Sequence, residues 1–324
     1  MRIPSITDIL KAAKTLRGKV RRTPLEYSHP LSKLTGGDVF LKLENQQHTN
    51  SFKIRGAMNK MHALSDEERR GGVVTASSGN HAQGLSLAAS MLKVRAVIYV
   101  PETCPETKKA SVLARGGKYV ELRVVGTQYD DVERAALLAA EAEGLTFVSA
   151  YEDTDVAAGQ GTLAIEILEE EPEMDAIFCP LSGGGLLTGV AAASRALRPE
   201  IELWGTFAEN NPSWSRAWEE GFVVPVEEKN SLADALGGSA SPVLFGFIRE
   251  TINGIVPVPE HEIAKYMAWM HENHHIVIEG AAATAIWGVL SGVTDLKNRR
   301  VCAVISGGNV DDAKLLEVLH EFRT

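Results

Sequence analysis

The chain has 324 residues, 44% hydrophobic and 23% charged, with 33 Lys and Arg against 42 Asp and Glu and a formal net charge of −9. That apolar content excludes intrinsic disorder, and no run of ~18 uncharged apolar residues exists to cross a bilayer. The acidic balance argues against general nucleic-acid binding, and a chain this long divides into about two domains.

Met1-Arg2-Ile3-Pro4-Ser5 shows no signal-peptide apolar core and runs straight into helix-period residues 7–16. In chain order the pattern then predicts strands at 39–43 and 73–76, a helix at 82–92, a strand at 95–100 and a helix at 106–114. A strand at 119–125, a helix at 129–143, a strand at 147–150, a helix at 160–171 and a strand at 176–180 follow. The rest reads as a helix at 188–197, a strand at 202–206, helices at 260–272 and 281–290, and a strand at 300–305. Such alternation predicts an α/β fold of open, mostly parallel twisted sheets with flanking helices, because parallel neighbours need a crossover between them. Residues 66–144 are dense enough in strand–helix units to form a small inserted α/β domain, with 1–65 and 145–324 making the large one. Cys104, Cys179 and Cys302 are too far apart for a disulfide scaffold or a CxxC zinc site. They suit a reducing compartment, and cytoplasm is the expected location.

Three segments share one design, an apolar strand leading into a Ser/Gly turn: Ser77-Ser78-Gly79-Asn80-His81, Ser182-Gly183-Gly184-Gly185-Leu186, and Ser306-Gly307-Gly308-Asn309. Ligands of open parallel sheets collect beyond the carboxyl ends of the strands, so three such turns predict a composite site. The triple glycine lets several backbone N–H groups approach one anion at the start of a helix, and a phosphate is the natural guest. Neither a P-loop Lys-Ser/Thr pair nor GxGxxG spacing is present. Its plain structural alternative is a close helix–sheet contact. Lys53, between Phe52 and Ile54, is placed to lose hydration and with it some of its affinity for a proton, which frees an amine to attack an aldehyde. A solvated surface lysine is the competing reading. Phosphate cradle plus nucleophilic lysine is what pyridoxal 5′-phosphate requires.

SFKIRGA at 51–57, SSGNH at 77–81, SGGGL at 182–186 and SGGN at 306–309 occur in this order, with TPL at 23–25 ahead of them. Together they resemble the fold-type II pyridoxal-phosphate enzymes, in the branch of threonine/serine dehydratases and serine racemase, over essentially the whole chain. The resemblance implies a tryptophan synthase β-like fold: a large cofactor domain carrying an inserted smaller one. It implies that Lys53 joins the cofactor aldehyde and later removes the substrate α-proton, that Phe52 packs on the ring, and that Asn80 donates to the phenolic oxygen. Gly183, Gly184, Gly185 and Leu186 would hold the phosphate, and Ser306 would meet the pyridine nitrogen. Ser77, Ser78, Gly79, Asn80 and His81 would bind the substrate carboxylate. A neutral hydroxyl at Ser306 leaves the ring a weaker electron sink, which favours prompt loss of hydroxide from a β-hydroxy amino acid. The implied products are a 2-oxo acid and ammonia.

Some positions depart from the family pattern. Asn50 replaces the glycine before SFK, and Ala235 replaces the glycine of an ADG-like segment. Ser78 stands where threonine dehydratases often carry alanine, whereas serine racemase and some hydroxyaspartate dehydratases carry serine. A hydroxyl facing Lys53 across the cofactor would return a proton for racemisation, the plain alternative being a carboxylate-binding or turn-stabilising hydroxyl. Glu209 only partly echoes a divalent-metal cluster, so metal stays unassigned. Glu279 matches an acidic residue near the ring, its plain alternative being a helix N-terminal charge. His271, His274 and His275 read as a solvated helix end, Cys104 as a loop or packing residue, and Lys108-Lys109 with Arg115 as a helix face. With the sequence reaching only Thr324, no C-terminal regulatory domain is expected. The expected partner is a small amino-acid substrate, with neither nucleic acid nor membrane, and the expected assembly is a homodimer. The competing functions are a serine-type racemase and a phosphate- or nucleotide-binding protein without catalysis.

Overall fold

β-Branched and apolar runs become strands wherever both faces can be covered. A computed structural model, describing residues 1–322, places ten of them in two sheets. The larger sheet contains β1 (Leu25–Tyr27), β2 (Asp38–Leu43), β7 (Ala176–Pro180), β8 (Glu202–Ala208), β9 (Gly254–Val258) and β10 (Arg300–Ile305). The smaller contains β3 (Val73–Ala76), β4 (Ala96–Val100), β5 (Val120–Val124) and β6 (Thr146–Phe147). Their orders are β1-β2-β10-β7-β8-β9 and β5-β4-β3-β6, and only the β1–β2 pair is antiparallel. Every residue of β3, β4 and β7 is buried, which explains their unbroken apolar sequences.

β5 is an edge strand and differs: Glu121 and Arg123, with Arg95 and Glu143, cover it with ion pairs. Charges on an exposed edge block pairing with another chain. β9, an edge of the larger sheet, is not expected from the sequence. Pro257 interrupts its apolar run, and a residue without an N–H is tolerated where one side of the strand has no neighbour.

The strand expected at 147–150 stops at Phe147. Val148 O is taken by the Thr75 hydroxyl at 2.8 Å and by His81 Nε2 at 3.1 Å. Ser149 Oγ then accepts from Glu152 N at 3.0 Å, turning the chain out of the sheet. His271 and His275 are exposed at the end of their helix, as expected, and His274 departs from expectation. His275 caps the helix Glu260–His274 in a left-handed conformation, φ 55°, but His274 is half-buried, 2.9 Å from Ser28 Oγ and tilted against Trp269. The aromatic neighbour holds it out of water.

Lys53 opens an unanticipated helix, Lys53–Ala63, whose Ile54, Ala57, Met58 and Met61 join one hydrophobic core with Leu85 and Ala88 of the helix Asn80–Leu92. Its polar side packs inward too. Arg55 is fully buried, bonded by Nε and Nη2 to Glu44 at 2.8 Å each and by Nη1 and Nη2 to Glu166 at 2.6 and 2.8 Å. Lys42 adds a 2.7 Å bond to Glu166. The three cysteines are buried and unpaired. Among the described residues no helix is long and apolar enough to cross a membrane.

Candidate active site

The three Ser/Gly turns follow β3, β7 and β10. β7 and β10 are hydrogen-bonded neighbours, so the turns at 182–186 and 306–309 open side by side. The chain before Lys53 is stitched to the last turn. Ser51 bridges Gly307, Phe52 N donates to Ser306 O at 3.0 Å, and Gly308 N donates to Asn50 O at 2.9 Å. Asn50 has φ 54°, so this turn does need a left-handed residue and asparagine supplies it. Its amide points to Asn309 Oδ1, 3.4 Å away.

Tyr151 links lysine and glycine loop. Lys53 Nζ donates to Ala150 O at 3.0 Å and lies 5.1 Å from the centre of the Phe52 ring. The next residue, Tyr151, lies on the glycines: a Cβ at Gly183 would fall 2.6 Å from its ring, and one at Gly185 2.7 Å from its Cα. Gly184 between them has φ 105°. The glycines therefore do serve close packing, though against the loop residue Tyr151 rather than in the helix–sheet contact of the plain alternative. They also leave amides exposed to an anion. The first amide here to find a helical carbonyl is Thr188 N, on Gly184 O at 2.9 Å, so the N–H groups ahead of it stand without an intrahelical partner at the positive end of the helix Gly185–Leu197.

Burial lowers the Lys53 pKa to about 8, although nearby Glu279 opposes the shift. Glu279 itself is buried and raised to about 7, chiefly by desolvation. Asn80 Nδ2 donates to both its oxygens, at 2.9 and 3.0 Å, while Asn80 Oδ1 accepts from Asn309 Nδ2 at 2.7 Å. Asn80 thus has a fixed orientation and retains N–H capacity. Glu279 does occupy the N-cap of the helix Gly280–Leu290, but its carboxylate makes no cap bond.

The Ser77–His81 turn divides. Ser77 Oγ accepts from Gly79 N at 3.3 Å, and space is open beside Gly79. Ser78 lies near the Cys104 thiol, whose hydrogen bond goes to Pro105 O at 3.7 Å. His81 is turned inward against Val148 O, and burial, then the Lys53 charge, press its pKa to about 3, so its ring is neutral. Lys108, read as part of a helix face, reaches across to Asp234 at 3.0 Å. No group of three or more His, Cys, Asp or Glu side chains is arranged to hold a metal among the described residues. Asn211, two positions after Glu209, binds Leu236 O and Gly238 O instead, at 2.8 and 2.9 Å. Ala150 and Tyr151 carried no site signal in the sequence, because each acts through contacts made only after folding, whereas Asp234 belongs to the ADG-like segment.

An unpartnered row of amides, a desolvated amine and an oriented amide donor together fit a phosphorylated aromatic aldehyde. The chain belongs to the pyridoxal-phosphate-dependent enzymes, whose family model matches residues 16–307. Its relatives include an L-threonine ammonia-lyase of Thermotoga maritima, 40% identical over 95% of this chain and 76% of that protein. An L-threo-3-hydroxyaspartate ammonia-lyase of a Pseudomonas species is 36% identical over 98% of this chain and 99% of the other. Among solved structures, maize serine racemase superposes with a TM-score of 0.93 at 29% identity, covering 99% of this chain and 98% of that one. A threonine deaminase isoform from Solanum lycopersicum gives 0.90 at 31% identity, covering 97% and 92%. These confirm the expected fold-type II architecture.

Proposed function

We propose that the protein eliminates water from a β-hydroxy amino acid, giving a 2-oxo acid and ammonia. The observation that carries this reading is the Lys53 amine, held beside Tyr151 and the glycine turn with its pKa lowered to about 8. Bound pyridoxal phosphate supplies the electron sink for the substrate's α-carbon. The amides of Gly183, Gly184, Gly185 and Leu186 would hold its phosphate, Asn80 would donate to its phenolic oxygen, Phe52 would pack on the ring and Ser306 would meet the ring nitrogen. Lys53 is the base that takes the α-proton, since an amine titrating near neutrality has its lone pair free. The Ser77–Asn80 turn receives the substrate carboxylate through its amides and hydroxyls, and His81, neutral and inward, holds that turn to Val148.

The ammonia-lyases among the relatives support elimination, and their threonine and 3-hydroxyaspartate substrates bracket the side chains to test. Racemisation is the second reading, favoured by the serine at position 78 together with the likeness to maize serine racemase. Incubation with L-threonine, L-serine and L-threo-3-hydroxyaspartate, assayed for 2-oxo acid, ammonia and D-amino acid, tests both. We expect keto acid and ammonia in equal amounts, whereas D-isomer without keto acid overturns elimination in favour of racemisation. The proposal extends to a large unit of residues 1–65 and 145–324 with residues 66–144 inserted, and to a cytoplasmic homodimer. Three buried free thiols support a reducing compartment. Light scattering of the purified protein measures the assembly.

A further inference from the structure

The Asn80 amide is held from both ends, and the hold at its nitrogen is a group that titrates. An isolated asparagine amide has two nearly equivalent orientations. Here Asn309 Nδ2, itself anchored on Thr49 O at 2.8 Å, donates to Asn80 Oδ1 and fixes the oxygen. Among the described residues the nitrogen is fixed only by the two oxygens of Glu279. Glu279 is in turn seated on Gly307: its own N–H donates to Gly307 O at 3.1 Å, and a Cβ at Gly307 would fall 2.5 Å from its Oε1. A carboxylate accepts the Asn80 N–H at either oxygen, whereas a protonated carboxyl turns one oxygen into a donor facing another donor.

We propose that Glu279 is a positioning residue whose carboxylate keeps the Asn80 amide aimed into the cleft, and that its protonation releases that amide. The inference rests on the reading that Asn80 serves bound pyridoxal phosphate. The groups facing Glu279 are Asn80 and the backbone N–H of Asn309, with the charges of Lys53, Asp234 and Lys108 nearby. Burial and Asp234 favour its protonated form, while Asn80, Asn309 and Lys108 favour the carboxylate. The balance leaves it near 7, so the switch lies inside the working range of an ordinary enzyme.

The test uses holoenzyme and the variants E279Q, E279D, N80A and E279Q/N80A. Three readouts are needed: the visible absorbance of the bound cofactor against pH, kcat against pH, and the borohydride-stable link to Lys53. In the wild type, absorbance and kcat should share a transition near pH 7. E279D should keep a transition, because it keeps a carboxylate. E279Q should lose it and lower kcat by roughly ten- to a hundredfold, the scale of one charge-assisted hydrogen bond, while still forming the Lys53 link. N80A should depress kcat similarly, and the double variant no further. A wild-type transition retained in E279Q, or effects of E279Q and N80A that multiply in the double variant, would overturn the proposal. A wild type that forms no Lys53 link overturns the cofactor reading beneath it, and the proposal with it.

Discussion

A methyl group at Gly183 has nowhere to go except into the Tyr151 ring, 2.6 Å away. G183A should therefore cost about 1–3 kcal/mol, the usual penalty of overpacking, and weaken cofactor binding because the turn must shift. Urea unfolding and an absorbance titration with pyridoxal phosphate check the two effects, and unchanged values would separate this glycine from the anion site. Lys53 offers a pH-dependent test in protein stripped of cofactor. Its folded pKa lies below the ordinary 10.5, so folding favours the neutral amine. The stability this contributes is present above pH 10.5 and is lost as pH falls through about 8. K53M should accordingly raise the melting temperature at pH 7, and the gain should shrink above pH 10.5. At this scale much was legible in the sequence. Lys53, Asn80, the glycines and Ser306 stand in motifs whose chemistry each residue type announces. Tyr151 does not, because nothing in Ser149-Ala150-Tyr151 reveals that the ring will land on a loop some thirty positions onward.

The helix Lys53–Ala63 shows why one element stayed hidden while its neighbours could be read. A helix is recognised by an apolar face against a polar one. Here Arg55 and Asn59 are buried along with Ile54 and Met58, so no clean face exists. What replaces the missing apolar contact is the ionic cluster of Arg55, Glu44, Glu166 and Lys42, contributed by three separate segments. Pairing of that kind is tertiary and leaves no periodic trace. Burial alone would raise the Glu44 pKa, yet Arg55 and Lys42 hold it below its ordinary value. The stability it contributes is therefore present above the ordinary carboxylate range and lost as pH falls through its lowered pKa. E44Q leaves Arg55 short of a charge partner in the interior and should cost about 3–5 kcal/mol. Chemical denaturation measures this, and a loss below about 1 kcal/mol would mean that water reaches the cluster.

Across the whole molecule, the parallel sheets could be expected from strand–helix alternation, and the site from three turns at strand ends. How the sheets face one another could not, since their contacts join residues far apart in sequence. Lys108 and Asp234 are one such contact, 3.0 Å apart and partly exposed. An exposed pair of this kind is worth about 0–1 kcal/mol, so K108M should scarcely alter unfolding. Because both charges act on the buried Glu279 beside the site, K108M should instead alter substrate KM, and raised salt should mimic it in the wild type through screening. Equal KM values at low and high salt, in both proteins, would remove this pair from substrate entry.

The central claim is that one amine, that of Lys53, captures the cofactor aldehyde in front of the glycine amides. The most direct measurement is to incubate the protein with pyridoxal 5′-phosphate, reduce it with borohydride, digest it and locate the labelled peptide by mass spectrometry. Label on Lys53 in the wild type, absent from K53A and diminished in G183A, is the predicted result. Label spread over surface lysines and unchanged in K53A would contradict the account.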